Sequence, residues 1–130
     1  MKITRFDPNG SLILLNAVIW GPRGHKGLTL ALDTAATLTH IIPDVLDDIG
    51  YGPRDGDRVT SITSAIGDEP GYTMKVAKLS ALGFSATDFR IHVHDLPESF
   101  AFQGLLGLSF LRQLNYEIRS AEGRIVAARI

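Results

Sequence analysis

Apolar and polar positions alternate with a period of two through much of the chain. Leu28, Leu30 and Leu32 interleave with Thr29 and Ala31, and Phe89, Ile91 and Val93 interleave with Arg90 and His92. That period belongs to strands that bury one face. "SLILLNAVIW" and "GLTLALD" flank "GPRGHK", whose Gly and Pro residues predict a hairpin turn. "DRVTSITSAIG" and "GYTMKVAKLSAL" predict a second pair of strands. Their connector, "GDEPG" at residues 67–71, holds two Gly, a Pro and two acids, a composition suited to an exposed hairpin tip. "NYEIRSAEGRIVAARI" predicts a last hairpin that turns at "AEG".

Two segments break the period. One runs from Pro43 to Ile49: its proline suits the first turn of a helix and Gly50 stops it. The other follows Gly107, where Leu108, Leu111 and Leu114 recur at helical spacing. Together these give an all-β domain spanning residues 1–130, with about seven strands and two short helices, and with no linker or low-complexity segment.

Composition narrows the classes of function. Thirteen Lys and Arg against fourteen Asp and Glu leave a formal charge of -1, and the basic residues are scattered. A nucleic-acid partner is therefore not expected. Cysteine is absent, which excludes disulfides, thiol nucleophiles and thiolate metal sites. No apolar run is long enough to span a bilayer, and "SLILLNAVIW" lacks the small-residue cleavage site of a secretion signal. A soluble cytoplasmic protein without membrane contact is the expectation.

The chemistry centres on one acid. The apolar run Leu28–Leu32 ends at Asp33, and small or hydroxylated residues follow: Thr34, Ala35, Ala36 and Thr37. No Lys or Arg stands beside the carboxylate. An acid at a strand end is commonly a turn former. In an apolar setting it is also costly to ionise.

"LALDTAAT", followed about seventy residues later by "GLLGLSFLRQLNYEI", resembles the single-domain, retropepsin-like aspartic proteases. The matches are Asp33, Thr34, Ala36 and Thr37 in the first motif, then Leu105, Leu106 and Gly107 with Phe110 and Leu111 in the second. "FRIHVHDLP" resembles the family's approach to that second motif. The resemblance implies half of an acid-protease barrel, closed by homodimerisation, because only one Asp motif is present. It implies an aspartic endopeptidase in which Asp33 and its symmetry mate share one proton and activate a water, with no metal or organic cofactor. Activity is then expected on the acidic to neutral side, since one carboxyl of the pair stays protonated.

By the same resemblance Asp33, Thr34 and Ala35 form the catalytic loop. Thr34 bonds across to the partner's loop, and Ala36, Ile66, Gly67, Asp68 and Leu106 meet the peptide substrate. Residues Ile66–Tyr72 become a flap tip pivoting at Gly67 and Gly71. Apolar subsites fall near Leu28, Ile41, Ile66 and Leu106, and "GRIVAARI" pairs with a partner's strand. One departure stands out: Ala35 occupies a position where the family usually has Gly. Ala keeps the backbone amide and costs something only if that position needs positive φ. The alternative is an inactive peptide-binding or interaction module of the same fold.

Other groups read more plainly. His92, His94 and Asp95 have a chelating spacing, but His25 and His40 lie far along the chain and an outward strand face is normally solvated, so no metal site is expected. "GPRGHKG" lacks phosphate-loop spacing. Ser109 sits in no nucleophile elbow. Asp44, Asp47 and Asp48 suit a solvated helix face.

Overall fold

A computed structural model describes residues 1–64 and 67–130, with the backbone alone at residues 58, 60–64 and 67–69. Among the described residues there are ten strands: β1 (Lys2–Arg5), β2 (Leu14–Gly21), β3 (Gly24–Leu32), β4 (His40–Ile41), β5 (Arg58–Ser64), β6 (Gly67–Ala81), β7 (Phe84–Val93), β8 (Gly104–Leu106), β9 (Leu114–Arg119) and β10 (Arg124–Arg129). Two helices, α1 (Pro43–Asp48) and α2 (Leu108–Leu111), complete the fold with two single 3-10 turns.

Seven strands pair in the order β2-β3-β8-β4-β7-β6-β5, and β2 also pairs with β6. That extra pairing, Val18 to Ser80 through Trp20 to Lys78, closes β2, β3, β8, β4, β7 and β6 into a six-stranded barrel. The alternation read from the sequence decides what fills it. Leu28, Leu30, Met74, Val76, Ile91, Val93 and Leu106 are all buried in one cluster. Phe89 and Phe110 meet edge to face there, with ring planes at 87°, an arrangement favoured by the ring quadrupoles. Val45 and Leu46 of α1 join the same core.

The strand pairs of all three hairpins agree with the sequence pattern, as does α1. Three expectations need correction. The segment 67–71 is not a tip: Gly67 pairs with Ser64, Asp68 with Thr63 and Gly71 with Thr60, so it forms the start of β6. Before Tyr72, among the described residues, β6 pairs with β5 alone, and Pro70 is tolerated because one side of the strand there has no ladder to break. Ile66 lies outside the described residues.

The second correction concerns the chain ends. β10 pairs with β9 on one side and with β1 on the other, Lys2 opposite Ala127 through Arg5 opposite Arg124. "GRIVAARI" therefore finds both neighbours in its own chain, not in a partner. β1 escapes sequence reading because four mostly exposed residues carry no periodicity. Third, Leu28, Ile41 and Leu106 are 5%, 0% and 0% exposed. They pack the barrel interior and do not line a cleft.

No helix among the described residues is long and apolar enough to cross a membrane.

Candidate active site

Asp33 is the residue at which β3 leaves the barrel. β8 lies between β3 and β4: it runs parallel to β3, with Leu106 opposite Leu32, and antiparallel to β4, with Leu105 opposite His40. Inserting a strand from seventy residues away brings the two sequence motifs together. The Asp33 amide donates to the Leu106 carbonyl at 3.0 Å. Leu106 thus serves the loop through its backbone, while its side chain stays in the core.

The loop after Asp33 is knitted to the segment after β8. The Leu108 amide donates to the Ala36 carbonyl at 2.8 Å, and the Ser109 amide to the Thr37 carbonyl at 2.9 Å. Thr39 is the inner strut: it is wholly buried, its hydroxyl oxygen accepts the Gly107 amide at 3.2 Å, and it lies 3.3 Å from the Ser109 hydroxyl. The Thr39 amide donates to that Ser109 oxygen at 3.1 Å. Gly107 is needed for space. A β-carbon there would collide with the carbonyl oxygens of Leu38 and Ala36, neither of which can move without opening the loop.

Within the loop the Ala35 amide donates to the Asp33 Oδ1 at 2.9 Å, and the Ala36 amide to the Asp33 carbonyl at 3.2 Å. The first bond fixes the carboxylate's direction, and the second closes the backbone turn. Among the described residues the non-glycine positions at positive φ are Leu82 and Asp88, so the backbone at Ala35 does not require glycine. The departure from Gly carries no backbone strain. Asp33 is half-buried, whereas Thr34, Ala35 and Thr37 are exposed. The loop projects its carboxylate and its small residues outward.

The structure also brings together three histidines that the sequence pattern leaves apart. His92 and His94 are not solvated: they are 0% and 6% exposed, and His40 joins them at 6%. The parallel pairing of β4 with β7 sets His40 opposite His92. The His94 Nδ1 lies 3.0 Å from the His92 Nδ1 and 3.2 Å from the His40 Nδ1. Burial, reinforced by the neighbouring imidazoles, pulls His40 and His92 down to about 4. Both are neutral at neutral pH. Nothing local in the sequence joins residues 54 positions apart; only the strand pairing does.

Register places this cluster relative to Asp33. Ala31, Leu105, His40, His92 and Thr73 form one row of direct cross-strand partners, hence share a face of the sheet. Asp33 follows Ala31 by two residues, and His94 follows His92 by two. Asp33 and the three histidines therefore emerge on the same outer face. Neighbouring strands lie about 4.8 Å apart, so β4 is roughly 10 Å from β3 across β8.

The aspartyl protease family matches residues 19–110 of the sequence. No curated protein matches it. Among solved structures, a retropepsin-like aspartic protease from Rickettsia conorii superposes with a TM-score of 0.68 at 15% identity, over 97% of this chain and 96% of that one. The EIAV protease, in complex with the inhibitor HBY-793, superposes with a TM-score of 0.57 at 18% identity, over 80% of this chain and 88% of that one. The family match covers both Asp33 and the Leu105–Gly107 corner, and the chain belongs to the aspartyl protease family, with the retropepsin-like fold.

Proposed function

We propose that the protein is an aspartic endopeptidase that works as a homodimer, with Asp33 of each copy supplying half of the catalytic pair. The observation that carries this reading is the loop geometry: a carboxylate held at a strand end by the Ala35 amide, on a loop whose backbone is tied to Leu106 and α2. Each chain offers one such carboxylate, so a two-fold axis beside the exposed Thr34 and Ala35 is needed to bring two together.

Two carboxylates a few ångström apart share one proton, because both cannot ionise cheaply. The ionised member takes a proton from a water held between them, and the protonated member donates to the substrate carbonyl. Oxygen attacks carbon, the carbonyl bond opens to a tetrahedral adduct, and collapse expels the amine with a proton returned to its nitrogen. Thr34, exposed in the single chain, is assigned the bond to the partner's loop. The small side chains of Ala35 and Ala36 let the loops approach. The β5–β6 ribbon, which extends past the end of β7, is assigned the closing role over an extended peptide, its backbone pairing with the substrate as an added strand.

The deciding experiment is digestion of a peptide library between pH 4 and 7.5, run beside Asp33→Asn. The expected result is cleavage by the parent and a loss of at least about 10³-fold in the variant, with fold and mass in solution unchanged. Equal cleavage by the variant removes Asp33 from the mechanism. A strict monomer that binds peptides without cutting them supports instead an inactive interaction module.

A further inference from the structure

The three buried histidines are placed for a task that peptide hydrolysis by a carboxylate pair does not require. They come from two strands, β4 and β7, held in fixed register, and their rings pack as a unit: His40 stands edge-on to His94 at 85° with centroids 4.8 Å apart, and to His92 at 60°. Their ring nitrogens converge within 4.8 Å of one another. Space has been cleared for them as well. A β-carbon on Gly71 would collide first with the Val93 carbonyl oxygen, and then with the His92 ring, 3.1 Å from Nε2, so a larger residue there would press on both the strand and the cluster.

We propose that His40, His92 and His94 form a binding site for a first-row divalent cation of the zinc class, on the sheet face from which Asp33 emerges.

The convergence of the ring nitrogens suits a cation. The Nδ1 of His94 faces two other Nδ1 atoms, at 3.0 and 3.2 Å. A ring nitrogen carries one proton or one lone pair, so it cannot make a good linear bond to both at once. A cation at the centre takes a lone pair from each ring. Two nitrogens bound to zinc at about 2.0–2.1 Å in a tetrahedron stand roughly 3.4 Å apart, a little wider than the separations of 3.0 and 3.2 Å found here. The third edge, His40 to His92, is within 4.8 Å. Imidazole without thiolate suits Zn(II), Co(II), Ni(II) or Cu(II), not the oxygen-seeking Mg(II) or Ca(II). Three protein nitrogens leave one tetrahedral position for a water or an added ligand.

The test uses untagged protein stripped with a chelator and measured at pH 7.5. Titration with Zn(II) alone should show one equivalent per chain, bound at micromolar concentration or tighter, and a rise in melting temperature. Co(II) should give the intense visible absorption of a tetrahedral, nitrogen-rich site. His40→Val and His94→Leu should each weaken binding by at least about 30-fold. His25→Ala, on the exposed β2–β3 hairpin, should bind as the parent does. Far-ultraviolet circular dichroism identifies any variant that fails to fold, and the Co(II) spectrum of the unmodified protein decides the matter without variants. Absence of a tetrahedral Co(II) spectrum together with no stoichiometric Zn(II) uptake overturns the proposal. So does binding that survives both His40→Val and His94→Leu in folded protein. Asp33→Asn should bind the metal unchanged, so this result is read separately from peptide cleavage.

Discussion

Thr39→Val isolates the strut beneath the Asp33 loop. Valine matches threonine in shape, so no cavity opens and the change replaces the hydroxyl with a methyl, removing its hydrogen bonds. Thr39 is 0% exposed, and its oxygen is the acceptor for the buried Gly107 amide at 3.2 Å. Leaving that amide without a partner costs about 1–3 kcal/mol. The added methyl recovers somewhat under 1 kcal/mol of apolar burial. The net destabilisation is about 1–2 kcal/mol, a drop in melting temperature of roughly 4–10 °C for a chain of this size. Stability alone does not identify the cause, since Thr39→Ser also costs about 1 kcal/mol through its lost methyl. Amide hydrogen exchange does: Gly107 should lose protection in Thr39→Val beyond the global change, and keep it in Thr39→Ser. Measurements need equal protein concentrations, because association shifts the midpoint. A Thr39→Val protein as stable as the parent, with Gly107 still protected, refutes the account of the strut.

Ala35→Gly restores the family's usual residue but relieves no strain, because Ala35 is not at positive φ; it should lower stability by about 0.5–1 kcal/mol in urea melts and leave cleavage no faster. Asp57 accepts a bond from the Thr73 hydroxyl at 2.6 Å and another from Arg90, and these partners, Thr73 first, hold its carboxyl below the ordinary value. A carboxyl lowered in the fold stabilises it above the unfolded-state value and stops doing so as pH falls through the folded one; urea midpoints between pH 5 and 3 should therefore fall less steeply in Asp57→Asn than in the parent. Removing residues 1–6 strips β1 from β10 and bares a strand carrying Ile125 and Ala127. The shortened chain should melt lower and scatter more light, and an unchanged melt and mass would mean that β1 is dispensable to that sheet.

Local chemistry made much of this fold readable. Leu28, Leu30 and Leu32 announce a strand because their burial in the barrel imposes a period of two, and Pro43 announces α1 because its ring fixes the first turn. Asp33 stands out in the sequence for the opposite reason: a carboxylate at the end of so apolar a run conflicts with its surroundings, and such conflicts collect at functional sites. What stayed hidden depends on pairing between distant segments. Gly67–Gly71 has the composition of a turn, yet the ladder with β5 runs through it. His92 and His94 alternate with Ile91 and Val93 as an outward face should, and the sequence has no mark to say that this stretch of outer face is covered. Leu106 was assigned to substrate when its side chain faces the interior, a one-residue difference from Leu105 that decides the face.

The three-stranded sheet bears on how two copies could meet. β10 is flanked by β1 and β9, so its backbone groups are already engaged along both edges. A contact between copies through this sheet is left with the outer edge of β1 or of β9, and either would extend the sheet across the axis with like strands antiparallel, as two-fold symmetry requires. The Asp33 loop sets the other condition, because its carboxylate must come within a few ångström of its mate for one proton to serve both. The side chains nearest that meeting point in sequence are Thr34 and Ala35, both exposed in the single chain. Their small size is thus a requirement of the dimer proposed here more than of the fold: the monomer leaves them in solvent, where bulk is tolerated, and a larger residue at Ala35 should cost association and cleavage while leaving the melting of the dilute chain nearly unchanged.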